Sequence, residues 1–110
     1  IGTNSIAGFQ DINSQFAQAE YEQDIYVFRS GSSDNLLSQI EGIALNLIDE
    51  GKYIAKGNLA EDKYILKLIK EAEINEVSSC FIVEFESLNT KRQFSICKSG
   101  ENSSILEITQ

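Results

Sequence analysis

Apolar residues in this 110-residue chain recur at two different spacings, one helical and one alternating. The clearest helical stretch runs from Leu36 to Ile48. Leu36, Leu37, Ile40, Ile43, Ala44, Leu47 and Ile48 fall within an arc of roughly 140° at 100° per residue, with Ser38, Gln39, Glu41, Asn46 and Asp49 opposite. That spacing predicts an amphipathic helix. Ser33 or Asp34 can cap its start, and Gly51 is a natural stop. A second helix is predicted to open at Asn58, with Glu61 as capping-box partner and Tyr64, Ile65, Leu68, Ile69 and Ala72 on its buried face. Lys63, Lys67 and Lys70 then form an exposed stripe. Phe9, Ile12, Phe16 and Ala19 also sit at helical spacing. Residues 1–22 therefore read as an N-terminal segment, either flexible or helical over 9–22, ahead of a single compact domain over 23–110.

Strands are predicted at Asp24–Phe28, where Ile-Tyr-Val-Phe is apolar on both faces, and at Lys52–Lys56, ended by Gly57. Strand, helix and strand in that order predict a right-handed crossover with a parallel pair. The strongest strands are Val77–Glu86 and Arg92–Lys98, joined by a short loop at Ser87–Thr90. The loop sets a register in which Glu86 faces Lys91, Glu84 faces Gln93, Val83 faces Phe94 and Phe81 faces Ile96. Phe81, Val83, Phe85, Phe94 and Ile96 then share a core face, and the other face is polar. A final strand over Ile105–Thr109 follows a turn at 99–104, with Leu106 and Ile108 toward the core. The expected fold is α+β, with α/β as the alternative. It has one mixed sheet of four or five strands and two amphipathic helices on one face, in the order (α)βαβαβββ. A C-terminal antiparallel hairpin and a further strand complete it.

The same register places Cys80, one of two cysteines in the chain, opposite Cys97, the other. Directly opposed residues in a non-hydrogen-bonded pair lie about 4.5 Å apart at Cα, within reach of a disulfide. The reading is a cross-strand disulfide. Its alternatives are two reduced, half-buried thiols of a cytosolic protein, or a metal pair. Two cysteines without histidine make a poor zinc site. A disulfide points to a periplasmic, cell-surface or secreted location, and reduced thiols to the cytoplasm.

Composition narrows the function. Hydrophobic residues make up 42% and charged residues 24%, which suits a folded domain. No apolar run approaches the ~18 residues of a transmembrane helix. Net charge is −8, and residues 1–50 hold eight acids against Arg29 alone. That excess argues against nucleic acid, whose binding rests on Lys and Arg neutralising phosphates. With no histidine, Ser-His-Asp and Cys-His catalysis are absent. The Ser30-Gly-Ser-Ser-Asp loop matches neither the phosphate-loop nor the dinucleotide fingerprint. Glu84 and Glu86 share a strand face and read as solubilising rather than as a catalytic pair. No catalytic residue, metal ligand or cofactor is predicted. The chain starts at Ile1 and holds no methionine, as expected of a processed or cut-back product. The leading expectation is a non-enzymatic protein-binding or assembly domain of a cell envelope or secreted protein, whose partner is another protein. Phe9, Ile12, Phe16, Tyr21, Lys63, Lys67 and Lys70 form its candidate interaction surface. The alternative is a cytosolic acidic adaptor or inhibitor that binds a basic partner protein.

Overall fold

Alternation, not helical spacing, governs most of the chain. The computed structural model describes residues 9–12, 17–25, 33–59, 62–88 and 90–108. In chain order they form strands β1 (Gln10–Asp11) and β2 (Ala17–Glu22), helix α1 (Ser33–Glu50), then β3 (Lys52–Leu59), β4 (Asp62–Asn75), β5 (Ser78–Ser87), β6 (Thr90–Ser99) and β7 (Asn102–Ile108). One seven-stranded sheet runs in the order β2-β3-β4-β5-β6-β7, with β1 paired to β4. The pairing of β2 with β3 is parallel, and the other strand pairings are antiparallel.

Helix α1 lies across one face of this sheet. Its Ile40, Ile43, Ala44 and Leu47 are buried with Ala55 of β3, Tyr64, Leu66 and Leu68 of β4, Phe81, Val83 and Phe85 of β5, and Phe94 and Ile96 of β6. Leu36, Leu37, Leu45 and Ile48 pack at the margin of this cluster. Gly51, at φ 69°, ends the helix in the left-handed region that glycine enters without steric cost. Polar contacts tie α1 to the far strands. Ser103 Oγ donates to Glu41 Oε2 at 2.5 Å, and Lys98 Nζ lies 3.6 Å from Asp49 Oδ1.

The hairpin of β5 and β6 has the expected register. Phe81 faces Ile96, Val83 faces Phe94, Glu84 faces Gln93 and Glu86 faces Lys91. Ser87 pairs with Thr90, so only two residues connect the strands, and Leu88 takes φ 46° there. Cys80 and Cys97 are opposed and disulfide-bonded, with Cα atoms 4.0 Å apart.

Several expectations are corrected. The sheet has seven strands and one helix accompanies it, rather than four or five strands and two helices. The segment expected to form the second helix is β4. Tyr64, Leu68 and Ala72 are four apart, an interval that suits a helix turn and also a regular strand face. Pairing on both sides with β3 and β5 decides for the strand, in which Tyr64 and Leu68 face the core and a register shift carries Ala72 to the other face. The N-terminal segment, expected to be flexible or helical over 9–22, instead forms β1 and β2 in its described residues, because both find sheet partners there; residues 13–16 lie outside the described residues. Gly57 does not end β3 but lies within it, opposite Tyr64. Leu106 is 72% exposed, and Ile105 packs on the core in its place. The reason is the turn: Ser99 pairs with Asn102, which puts Ile105 opposite Ile96, and a one-residue change of phase exchanges the faces of a strand. The parallel crossover is present, but its first strand is β2. Ile25 makes a single parallel bridge to Leu59, and residues 26–28 of the expected strand lie outside the described residues.

Gly57 permits the close approach of β2 to β3. The backbone continues past Glu22 with Gln23 N–H donating to Lys56 O at 2.9 Å and Ile25 N–H to Asn58 O at 2.8 Å. Tyr64 OH donates to Gln23 O across this junction. A Cβ at Gly57 would overlap the Gln23 carbonyl and lie 2.9 Å from the Tyr64 ring. Gly57→Ala is therefore expected to destabilise the protein by about 1–3 kcal/mol. Gly42, exposed on α1 with no atom within 4 Å of an added Cβ, predicts the opposite sign. Gly42→Ala is expected to stabilise by up to about 1 kcal/mol. Urea unfolding followed by circular dichroism measures both.

Candidate functional site

A strand offers two faces, and α1 covers one of them. The other face is reached by the alternate positions of every strand. Lys52, Ile54 and Lys56 of β3 occupy it, because their neighbours Tyr53 and Ala55 face α1. From β4 come Lys63, Ile65 and Lys67, paired with Asn58, Lys56 and Ile54. A register shift between Leu68 and Lys70 then changes the phase of β4, so that Lys70 faces Ile82 and Ala72 faces Cys80. Glu84 and Glu86 of β5, Lys91 and Gln93 of β6, and Leu106 and Ile108 of β7 complete the surface. The disulfide lies on it too. Its rim, Ser78, Ser99, Asn102 and Ser104, lines a shallow groove of about 310 Å³.

Among the described residues no structural layer lies over this face. Ile82 and Ala72 are nevertheless buried within it, Ile54 and Ile65 are half-buried, and Leu106 is exposed. The charge distribution differs from that of the whole chain. Six of nine basic residues stand here: Lys52, Lys56, Lys63, Lys67, Lys70 and Lys91. Five of seventeen acids accompany them: Asp11, Glu20, Glu22, Glu84 and Glu86. The described residues of this face thus carry one net positive charge on a chain of −8.

Three of the lysines are already engaged. Lys56 Nζ lies 2.9 Å from Glu20, Lys52 Nζ 3.4 Å from Glu50, and Lys91 Nζ 3.8 Å from Glu84. Glu84 also accepts a hydrogen bond from Gln93 Nε2 at 3.2 Å, so this carboxylate is held by β6. Lys63, Lys67 and Lys70 make no ion pair among the described residues. The helical reading grouped these three for a different reason. Positions 63 and 67 share a strand face because their separation is even, and the register shift restores Lys70 to the same face. They run in a row down β4, near the centre of the sheet.

The other candidate residues are placed elsewhere. Ile12 and Tyr21 pack against the core cluster, and Tyr21 OH accepts a hydrogen bond from Asn46 Nδ2 at 3.1 Å. Phe9 is half-buried, and Phe16 lies outside the described residues. A hollow of about 410 Å³ opens beside the lysine row, lined by Glu22, Asp24, Lys56, Asn58, Lys63 and Tyr64. Asp24 Oδ1 there accepts Asn58 N–H at 2.9 Å and Asn58 Nδ2 at 3.3 Å, so its charge is spent on holding β2 to β3. Burial pushes the Tyr64 hydroxyl above its ordinary value, with the Asp24 charge acting in the same direction. The described residues contain no group of three or more Cys, Asp or Glu placed to hold a metal ion.

At the opposite end of the sheet Arg92 grips Glu107 through two hydrogen bonds of 2.8 Å, Nε to Oε2 and Nη2 to Oε1. Its guanidinium stands 5.2 Å from the centre of the buried Phe94 ring. This pair depends on the β6–β7 register and is invisible to spacing along one strand. Leu106 is missed for the same reason; the Gly100–Glu101 turn is the signal that would have found both. Compared with known protein families, with curated proteins and with solved structures, the chain matches none.

The hydrogen bonds from Arg92, aided by its charge, hold the Glu107 carboxyl below the usual carboxylate range, against a smaller upward pull from burial. A depressed carboxyl contributes stability above its unfolded-state value and loses it as pH falls through the folded-state value. Side-chain exposures of 28% and 34% limit the contribution to a few tenths to about 1 kcal/mol. The parent protein is therefore expected to exceed Glu107→Gln in thermal stability at neutral pH. That margin is expected to hold down to about pH 4.5 and then to shrink. Melting curves of both proteins over an acid pH series test this.

Proposed function

We propose that this chain is a non-enzymatic protein-binding or assembly domain of a cell envelope or secreted protein, and that its uncovered sheet face receives an acidic partner protein. The observation that carries the reading is the gathering of six of nine basic residues on the one face that α1 leaves open. Lys63, Lys67 and Lys70 stand there without ion partners among the described residues, interleaved with half-buried Ile54 and Ile65. Mixed apolar and charged composition of this kind is common to protein-recognition surfaces. The charge pattern supports an acidic rather than a basic partner, because a basic one would meet its complement on the remainder of the molecule. The Cys80–Cys97 bond supports an oxidising compartment, since glutathione keeps most cytosolic cysteines reduced.

Isotopically labelled protein titrated with a Glu- and Asp-rich peptide tests the reading by amide chemical shifts. Shifts are expected along β4 at Lys63, Lys67 and Lys70, smaller at high ionic strength. The triple variant Lys63→Glu, Lys67→Glu, Lys70→Glu is expected to weaken binding by about 10-fold or more while leaving the spectrum of a folded protein. Shifts confined to α1, or no shifts at low ionic strength, contradict it.

A further inference from the structure

The two edges of the sheet are treated differently by the sequence. At one end β2 is protected in the manner expected of an edge strand. Its register with β3 shifts between Ala17 and Glu20, and Glu22 places along it a charge with no ion partner among the described residues. At the other end β7 carries none of these devices. Its pairing with β6 runs unbroken from Ser99–Asn102 to Gln93–Ile108. Its sequence, Asn-Ser-Ser-Ile-Leu-Glu-Ile, has no proline, glycine or lysine. Its one charge, Glu107, is neutralised by the two hydrogen bonds from Arg92. No described strand pairs with its outer side.

The main-chain geometry of that outer side follows from the turn. Ser99 and Asn102 flank a two-residue connection as a hydrogen-bonded pair. Asn102, Ser104, Leu106 and Ile108 therefore exchange bonds with β6, and the N–H and C=O groups of Ser103, Ile105 and Glu107 point outward. Beside them Leu106 is 72% exposed, on the face away from α1.

We propose that β7 pairs antiparallel with β7 of a second copy of this chain, about a twofold axis at Leu106. In that register the main chains of Ile105 and Glu107 bond to Glu107 and Ile105 of the partner subunit. Leu106 meets Leu106 of the partner subunit in a non-hydrogen-bonded pair, with Cα atoms about 4.5 Å apart. The exposed leucine is then covered by its own counterpart, as a self-complementary interface requires. The edge selects a copy by self-complementarity: a second β7 offers the same outward row at Ser103, Ile105 and Glu107, in register, together with the same exposed leucine at the axis. Two molecules of −8 repel over most of their surfaces, but Glu107 is held by Arg92 and the strand that meets its copy is neutral. A twofold axis normal to the sheet keeps both α1 helices on one side. The result is one continuous sheet with both lysine rows on the other side.

Sedimentation of the oxidised protein across a range of concentrations, with two variants, tests the proposal. Leu106 is exposed, so neither variant removes a core contact. The parent is expected to dimerise. Leu106→Lys is expected to weaken the dimer by at least about 10-fold, since it sets like charges directly opposite each other. Leu106→Cys is expected to give a covalent dimer on non-reducing gels, while Val77→Cys, equally exposed on the β4–β5 turn, does not. A monomer at all concentrations, a dimer indifferent to Leu106→Lys, or a dimer that Leu106→Cys fails to cross-link, overturns it.

Discussion

The structure depends on the register of one hairpin. Two devices fix it: the two-residue connection between Ser87 and Thr90, and the disulfide between Cys80 and Cys97 near the other end. Because side chains alternate with a period of two, a slip of one residue would carry Glu84 and Glu86 into the core and Phe81, Val83 and Phe85 out of it. The bond closes a short loop, with a sequence separation of 17, and on a chain-entropy argument contributes about 3 kcal/mol. The neighbours inherit their phase from this pair. β4 aligns on β5 and β7 on β6, then β3 on β4 and β2 on β3. The buried Phe94 follows from that parity directly; Lys70 and the exposed Leu106 follow from it together with the register shift in β4 and the turn between Ser99 and Asn102.

Among the described residues, a sheet of seven strands with one helix buries one face and leaves the other to be managed by side chains. This protein divides its charge accordingly. The helix side and the turns carry the acid excess, and the uncovered side gathers most of the lysines. The register shift in β4 helps make the division. Without it Lys70 would face the core beside Phe81, and Glu71 would take its place on the outer face. At the β2 edge, Gly57, Tyr64 and Gln23 interlock so that a parallel strand can approach closely. The crossover through α1 is thereby closed on a pairing whose register shifts between Ala17 and Glu20.

The parts of this fold that are legible in the sequence are those with one consistent signal. Leu36 to Ile48 fits a helix and no strand, and Gly51 marks its end. The hairpin is legible because charge pairing, apolar pairing and both cysteines agree on one register. The segment from Asp62 to Asn75 is ambiguous because its strongest apolar residues, Tyr64, Leu68 and Ala72, are spaced by four. Leu66 is the residue that discriminates: a helix with that buried face would expose it, and the strand buries it completely. The three lysines fall together in both geometries for different reasons: four residues from Lys63 to Lys67 preserve the face in a helix and in a strand, and the register shift after Leu68 returns Lys70 to it. Leu106 could not be placed from β7 alone, because its face is set by a turn and not by its own pattern. The long-range pairings of β1 and β2 with the sheet leave no local trace in Phe9, Ile12 and Ala19.

The most direct measurement of this account is a thiol count by alkylation and intact mass, on native and on denatured protein purified without reductant or added oxidant. The account predicts that neither state takes up alkylating agent, and that a single non-reduced peptide pair joins Cys80 to Cys97. Two thiols appearing on denaturation would remove the bond that holds the hairpin in register, and with it the argument for an oxidising compartment.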